Sequence, residues 1–127
     1  MDPKFEVIFL EQAINFMSKI DAKSKKKIYY NIDKAKLAND PELFKKLEGK
    51  IWEFRTKYIG LQFRLLAFWD KTDKNETLVL ATHGIIKKTD KVPKTDIEKA
   101  KIIMAEYFAE NKSKDEDEKQ KNENDDT

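Results

Sequence analysis

The sequence predicts a mixed α+β fold in which the strands of one antiparallel sheet are combined with helices. Three apolar runs, IWEFR, LQFRLLAFW and TLVLATH, follow one another with polar turns between them, as expected of an antiparallel meander. Stretches with apolar residues at helical spacing lie on both sides of these runs. With 127 residues, of which 39% are hydrophobic, the chain can form one core, so we expect a single domain.

The N-terminal third predicts a strand followed by a pair of helices. Apolar side chains alternate in residues 5–9, FEVIF, as is typical of a strand. The apolar period then becomes helical and predicts a helix over residues 10–20. Asp21 can cap a second helix that continues to about Ala38, and the turn at Pro41 follows it. Two adjacent helices between strands predict a helical hairpin laid across one face of the sheet.

The centre of the chain predicts the meander, and the C-terminal part predicts a final helix. Residues 42–47, ELFKKL, are expected to form one short helical turn. Three strands follow and join the N-terminal strand in one sheet: Ile51–Arg55, Leu61–Trp69 and Thr77–His83. The last helix is expected to begin at Thr95, which forms a capping box with Glu98.

Charge is distributed unevenly along the chain. Residues 110–127 hold 8 of the 24 acidic and 4 of the 26 basic residues, and no apolar one. A segment with nothing to bury is expected to remain disordered. We therefore divide the chain into a folded domain, residues 1–109, and an acidic disordered tail, residues 110–127. Without the tail the net charge changes from +2 to +6, so the domain is moderately basic.

The composition excludes several kinds of site. The absence of cysteine excludes disulfides, thiolate nucleophiles and cysteine-bound zinc. No run approaches the roughly 18 apolar residues that suggest a membrane span. The N-terminus lacks the apolar stretch of a signal peptide. We expect a cytoplasmic protein that does not contact membranes.

The two arginines mark the candidate site. Arg55 and Arg64 are the only arginines among 26 basic residues, and each lies inside a predicted strand. A guanidinium group stays charged and can hold a phosphate through two parallel hydrogen bonds. If Trp52 and Phe54 pack beneath the helices, strand alternation brings both arginines to the open opposite face. The alternative role for the arginines is to form surface ion pairs with carboxylates.

The face that carries the arginines is predicted to collect further charged and polar side chains. They are Glu53, Arg55, Arg64 and His83, with Lys87, Lys88 and Lys91 at the rim. On the last strand this assignment requires Leu78 and Leu80 to pack toward the helices. Val79 and Ala81 then lie on the same side as His83. Such a face predicts a site for a phosphodiester backbone.

Three ordered motifs carry a family resemblance. The segments KLEGKIWEFR, FRLLAFW and LATHGIIKKTDKVPKTDIEKA follow one another along the chain. In this order they resemble the phage Gp49-like branch of the RelE/ParE superfamily, close to the HigB toxins. The resemblance covers about residues 4–108 and implies a RelE-like fold, in which helices back an antiparallel sheet.

The same resemblance implies a function. Proteins of this branch are toxins of type II toxin–antitoxin systems and are expected to cut mRNA on the translating ribosome without a metal. We therefore expect no cofactor and no metal ligand. The implied partners are mRNA, the ribosome and an antitoxin of the HigA-like, helix-turn-helix kind.

Metal-free RNA cleavage requires groups that neutralise the phosphorane, accept one proton and donate another. Arg55 and Arg64 are assigned to charge stabilisation, often the largest catalytic contribution. His83 can act as general acid or base, because its unperturbed pKa of about 6.5 is near neutrality. A structural hydrogen bond is its alternative role. Glu53 can be a base, or it can orient Arg55 through a salt bridge.

Lysines and one aromatic residue complete the predicted site. Lys87 and Lys88 are expected to share the charge stabilisation or to grip flanking phosphates. The RNA-binding candidates are Lys50, Lys91 and Tyr58, although an aromatic residue in a turn can also serve packing. Two other functions stay open: a ParE-like toxin that acts on gyrase without nuclease chemistry, and an inactive relative that only binds RNA or protein.

Overall fold

The computed structural model of the chain describes residues 2–87, 89 and 91–125, and for residues 113–125 the backbone alone. The elements in chain order are β1 (Glu6–Phe9), α1 (Glu11–Ser18), α2 (Ala22–Leu37), β2 (Phe44–Glu48), β3 (Ile51–Tyr58), β4 (Leu61–Asp70), β5 (Leu78–Lys87) and α3 (Lys94–Asp125). This architecture confirms the predicted α+β class: an N-terminal strand, two helices, an antiparallel meander and a C-terminal helix. None of the helices in the described ranges combines the length and apolar composition of a membrane-spanning segment.

The five strands found in the described ranges belong to one sheet, in the order β1-β5-β4-β3-β2. The meander β2 to β5 is antiparallel throughout. β1 pairs with β5 in parallel, with Glu6 opposite Leu78 and Phe9 opposite Ala81. The helical hairpin between β1 and β2 supplies the crossover that a parallel pair requires.

β2 is a strand, whereas the sequence predicts a helical turn over residues 42–47; that prediction was wrong. Phe44 pairs with Phe54 of β3, and their rings stack with 4.3 Å between centroids. The spacing of Phe44 and Leu47 suits a helix, but in a strand it places the two side chains on opposite faces. Each face has its own core, so both residues find apolar partners in the strand. Tertiary pairing thus overrides the local helical pattern.

Helices cover the sheet on both faces. α1 and α2 pack on one face around Phe54, Phe63 and Leu65, with the half-buried Trp52 against them. Trp52 and Phe54 therefore lie beneath the helical hairpin, as the sequence predicts. α3 packs on the other face against residues that include Leu66. β4 consequently carries apolar side chains on both of its faces.

α3 begins at Lys94, one residue before the predicted capping residue Thr95. The carbonyl of Pro93 accepts the first helical hydrogen bond. Further along, the Tyr107 hydroxyl donates to Asp70 Oδ2 at 2.6 Å and ties α3 to the end of β4. α3 extends to Asp125, into the segment that the sequence predicts to be disordered, because its lysine and glutamate residues favour helix. The division into domain and tail stays a prediction.

Candidate functional site

The strand register brings the predicted polar residues together on the sheet face that α3 covers. Three neighbouring rows of cross-strand partners make up this region: Glu53–Leu66–His83, Arg55–Arg64–Ile85 and Lys57–Gln62–Lys87. Directly opposite side chains on one face of an antiparallel pair are about 5 Å apart at Cβ. Strand alternation thus places Glu53, Arg55, Arg64 and His83 on one face, as predicted. We call Glu53, Arg55, Gln62, Arg64, His83 and Lys87 the charged cluster.

His83 reaches this face because β5 contains a β-bulge. Leu66 of β4 lies opposite His83, whereas its neighbour Ala67 lies opposite Ala81, so Thr82 is an extra residue in β5. A bulge of this kind places two residues against one and interrupts the alternation of side chains. The side chains before and after Thr82 therefore follow opposite parities.

The bulge corrects one part of the predicted alternation on β5. Val79 and Ala81 lie in the core beneath α1 and α2, and Leu78 and Leu80 face α3. The predicted sides of these four residues were wrong. Only His83, beyond the bulge, lies on the side that the sequence predicts. Regular two-residue periodicity cannot reveal an inserted residue.

A buried carboxylate holds both arginines. Glu53 Oε1 lies 3.0 Å from Arg64 Nη1 and 3.4 Å from Arg55 Nε. Glu53 is only 3% exposed, and Arg64 only 1%. A second bond joins Arg64 Nη2 to Gln62 Oε1. The guanidinium of Arg64 is therefore fixed by two neighbouring side chains of the charged cluster.

The burial of Arg64 corrects the prediction of an open sheet face. α3 lies across this side of the sheet, and its Ala100 is completely buried there together with Leu66 and Phe68. Alternation along β4 gives the side on which Arg64 lies, but not which helix covers that side. Arg55 differs, because its side chain remains 21% exposed. It follows Phe54, the residue that pairs with the first residue of β2.

Burial and neighbouring charges act on the Glu53 carboxyl in opposite directions. Burial has the largest effect and raises the pKa of Glu53 above its ordinary value, since it disfavours the charged form. The positive charges of Arg64, Arg55, Lys87 and Lys45 lower it again, in that order. The net pKa is raised, so Glu53 binds a proton more readily than an exposed glutamate.

His83 is bound at both ring nitrogens. Its Nε2 lies 3.2 Å from Asp96 Oδ1 in the first turn of α3, and its Nδ1 lies 3.0 Å from Thr82 Oγ1. Burial lowers the pKa of His83, although the bond to Asp96 opposes this effect. An ionised Asp96 only accepts, so Nε2 carries the proton in neutral His83, and Nδ1 accepts from Thr82.

Thr82 can serve either charge state of His83. Its hydroxyl also lies 3.2 Å from the carbonyl oxygen of Leu66. If His83 gains a second proton, Nδ1–H donates to Thr82 Oγ1, and the hydroxyl proton turns to that carbonyl. The His83 side chain is only 3% exposed. In both charge states each of its ring nitrogens has a hydrogen-bond partner.

The remaining predicted residues occupy different places. Lys87 ends β5 and is 7% exposed within the charged cluster. Lys91 is exposed just before α3, and Lys50 is exposed in the turn between β2 and β3, at the other end of β3 from Lys57. Tyr58 packs half-buried against the core on the α1 and α2 side, away from the charged cluster. Lys88 lies outside the described residues.

Sequence reasoning did not identify Gln62, Thr82 and Asp96 as site residues. Gln62 shares its strand and parity with Arg64, so alternation was a usable signal for it. Nothing in the local sequence marks Thr82 as a bulge. Asp96 lies inside the predicted capping box between Thr95 and Glu98, and its contact with His83 depends on where α3 lies. Within the part of the chain that the structure describes, no three His, Cys, Asp or Glu side chains form a cluster that could hold a metal ion.

Comparison with known proteins identifies one family. The family model described as phage-derived protein Gp49-like (DUF891) matches residues 15–105, more than half of the 127 residues. The matched range contains β2 to β5, the first part of α3 and all residues of the charged cluster. A search of curated proteins found no match to the chain.

Proposed function

The chain belongs to the phage-derived Gp49-like family, and from this premise we propose that it is a toxin that cuts mRNA on the ribosome. Membership of the family is consistent with the toxin component of a toxin–antitoxin system and with an antitoxin as partner. Cleavage of mRNA is the further step. The observation that supports it is the arrangement of two arginines, a carboxylate and a histidine in adjacent rows of one sheet face.

The proposed reaction is attack of an RNA 2′-hydroxyl on the adjacent phosphorus. The P–O bond to the 5′-oxygen breaks, and a 2′,3′-cyclic phosphate and a free 5′-hydroxyl result. The transition state gains negative charge on its non-bridging oxygens. Arg55 is the arginine that can meet them, because its side chain is partly exposed and Glu53 fixes its orientation. Arg64 acts as a positioning residue that holds Glu53.

Two proton transfers complete the reaction. Glu53, whose pKa is raised by burial, takes the proton of the 2′-hydroxyl. His83, in its doubly protonated form, donates a proton to the departing 5′-oxygen. Water afterwards returns a proton to His83 and takes the one held by Glu53, so no net proton is consumed. For the donation, one of the hydrogen bonds of His83, to Asp96 or to Thr82, must be replaced by the bond to substrate. Replacement of the Asp96 bond requires the first turn of α3 to move away from β5, whereas replacement of the Thr82 bond does not.

Lysines extend the proposed contact with RNA. Lys87 shares charge stabilisation, since it lies in the charged cluster, and Lys88 is proposed for the same role. Lys91 and Lys50 bind flanking phosphates or ribosomal RNA through their exposed amines. Tyr58 is the weakest member of the proposed set, because it packs on the opposite side of the sheet. The proposed antitoxin has a helix-turn-helix domain.

Primer extension on mRNA in a translation extract tests this proposal. We expect cleavage by the wild-type protein only while the mRNA is translated. Arg55→Ala should reduce the rate about 100- to 1000-fold, as for loss of one group that stabilises an oxyanion. Lys46→Ala, an exposed lysine on the edge strand β2, is the matched control and should cut normally. Intact translated mRNA with folded wild-type protein would refute the proposal.

The burial of the charged cluster favours a second candidate function. Glu53, Arg64 and His83 are each at most 3% exposed and bonded to one another or to neighbouring residues. Such a group can serve stability alone, and the chain would then act by binding, as a ParE-like inhibitor of gyrase or as an inactive relative. A gyrase supercoiling assay separates inhibition from cleavage. Growth after induced expression separates both from an inactive protein.

A further inference from the structure

The outer surface of α2 carries an exposed aromatic ring between two lysines. Tyr30 is 55% exposed. Lys27 Nζ lies 5.1 Å and Lys34 Nζ 5.6 Å from the centroid of its ring. The three residues are three and four positions apart, so they share one helix face. The buried residues of α2, among them Ile28 and Ile32, hold the opposite side on the sheet, and Tyr30 is not among the packed apolar residues.

The two lysines also line a cleft. It has a volume of about 380 Å³ and lies between α2, the turn before β2 and the end of β3. Its lining residues are Lys27, Asn31, Lys34, Asp40, Glu42, Leu43, Arg55 and Lys57. Four cations face two carboxylates, so the cleft has a net positive charge.

The polar groups of the cleft walls are organised by the fold. Asp40 Oδ1 accepts a hydrogen bond from the backbone N–H of Glu42 at 2.9 Å and so shapes the turn before β2. Asn31 is buried and donates from Nδ2 to Thr56 Oγ1 at 3.2 Å. Arg55 Nη1 donates to the carbonyl oxygen of Pro41 at 3.4 Å. These bonds fix the cleft before any ligand binds.

Arg55 joins the cleft to the charged cluster. Its Nε lies 3.4 Å from Glu53 Oε1, and the residue also lines the cleft. A strand of RNA that lies along α2 can therefore place one phosphate in the cleft and the next near Arg55. Proteins that bind single-stranded nucleic acids combine a basic groove with aromatic side chains on which bases stack. The Tyr30 ring and the cations of the cleft form such a combination.

We propose that Tyr30 and this cleft bind single-stranded RNA, with a base stacked on the ring and a phosphate between Lys27, Lys34 and Lys57. A base displaces one lysine amine from the face of the ring, and that amine moves to the phosphate. The inference rests on the proposed function, because the RNA is the mRNA to be cut. It adds a binding site outside the sheet face, on a helix that carries no residue of the charged cluster.

The test measures binding of an RNA that cannot be cut. A fluorescent ten-nucleotide single strand with 2′-O-methyl groups lacks the attacking hydroxyl, and its anisotropy with the full-length protein is followed over a salt series. Tyr30→Ala should weaken binding about tenfold, whereas Tyr30→Phe should bind like wild type. Lys34→Ala should weaken binding and lower the slope against log salt by about 0.7. Lys46→Ala, an exposed lysine of the edge strand β2 outside the cleft, is the control and should have a smaller effect.

Each outcome decides the inference. Wild-type affinity in both Tyr30→Ala and Lys34→Ala overturns it, as does equal loss in Lys46→Ala. A poly-glutamate peptide that competes with the RNA, with binding independent of Tyr30, shows a site for acidic protein instead and also overturns it. If RNA binds as expected but wild-type protein cuts no translated mRNA, the proposed function fails and the binding site stands. If mRNA is cut and the cleft variants bind normally, only the inference fails.

Discussion

Arg64 Nη1 lies 3.0 Å from Glu53 Oε1 in a place where both side chains are shielded from water. Arg55 approaches the same oxygen, so one carboxylate orients two guanidinium groups. The Glu53–Arg64 ion pair joins β3 and β4 through side chains. It also determines which of the two arginines can contact a ligand. The partly exposed Arg55 can contact a ligand, whereas the buried Arg64 holds the carboxylate that orients Arg55.

Arg64→Ala is expected to destabilise the protein. The change leaves Glu53 buried without its nearest cation, and the loss of one member of a buried pair costs about 3–5 kcal/mol. Urea unfolding measures the effect, with Lys57→Ala, an exposed cation of the same face, as control. On the open face that the sequence predicts, Arg64→Ala would leave the fold intact, but Arg64 is buried. An unchanged unfolding midpoint would show that the ion pair gives no net stability.

Trp52→Ala should also lower the free energy of unfolding, by about 3 kcal/mol. The Trp52 ring stacks on Phe44 at 4.9 Å and meets Trp69 edge-on at 5.6 Å, so its removal opens the core beneath α1 and α2. Lys46→Ala, at the paired position of β2, provides the control. Equal stability of both variants would mean that this aromatic group contributes little.

Gly84→Ala should be destabilising by about 1–3 kcal/mol, because the added methyl group has no space. A Cβ at Gly84 would lie 2.2 Å from Cδ1 of Phe16, the ring by which α1 rests on β5. Phe16→Leu in the same chain should recover part of the loss, and a double-mutant cycle gives the coupling. Additive effects of the two changes would contradict the close approach.

The stability of the protein should decrease with acidity through His83. Its folded pKa is lowered from the ordinary value of 6.5, so below this pH the unfolded chain binds more protons than the folded one. Stability is then lost as the pH falls from 6.5 toward the folded pKa. His83→Gln should flatten this part of the profile, and Asp96→Asn should steepen it, since Asp96 raises the pKa. Urea midpoints between pH 5 and 7.5 measure both slopes.

Removal of residues 110–127 should strengthen the association with RNA at low salt. The truncation after Ala109 removes 8 acidic and 4 basic residues and changes the net charge from +2 to +6. The difference should fade as salt screens it. Among the α3 residues whose side chains the structure describes, those that pack on the apolar core end at Phe108, so we expect normal folding. Ribosome co-sedimentation over a salt series is the measurement, and weaker association at low salt would contradict this prediction.

Periodicity was sufficient for much of the fold. Alternation along β3 and β4 correctly placed Trp52 and Phe54 beneath α1 and α2 and both arginines on the opposite face. It failed at β2, where Phe44 and Leu47 have a helical spacing but pair at the edge of the sheet. It failed again on β5, because the extra residue Thr82 reverses the parity.

The part of the site that could not be predicted depends on tertiary placement. The bond between His83 and Asp96 follows from α3 lying on the arginine side of the sheet. The burial of Arg64 accompanies its bonds to Glu53 and Gln62 on the neighbouring strand positions. Apolar residues such as Leu65 and Leu66 lie on both faces of β4, although the sequence prediction left the arginine face open. They did not show which helix covers each one.

The parallel pairing of β1 with β5 has a consequence for synthesis. Glu6 leaves the ribosome early, but its partner Leu78 emerges only after most of the domain has been made. At about 5–20 residues per second this delay lasts several seconds. Interrupted translation can give a product that ends before β5. This product contains Arg55 and Arg64 but lacks the β5 residues of the cross-strand rows, and its β1 has no strand to pair with. Partial copies of the chain should therefore lack the complete charged cluster, and proteases can remove them before the sheet closes.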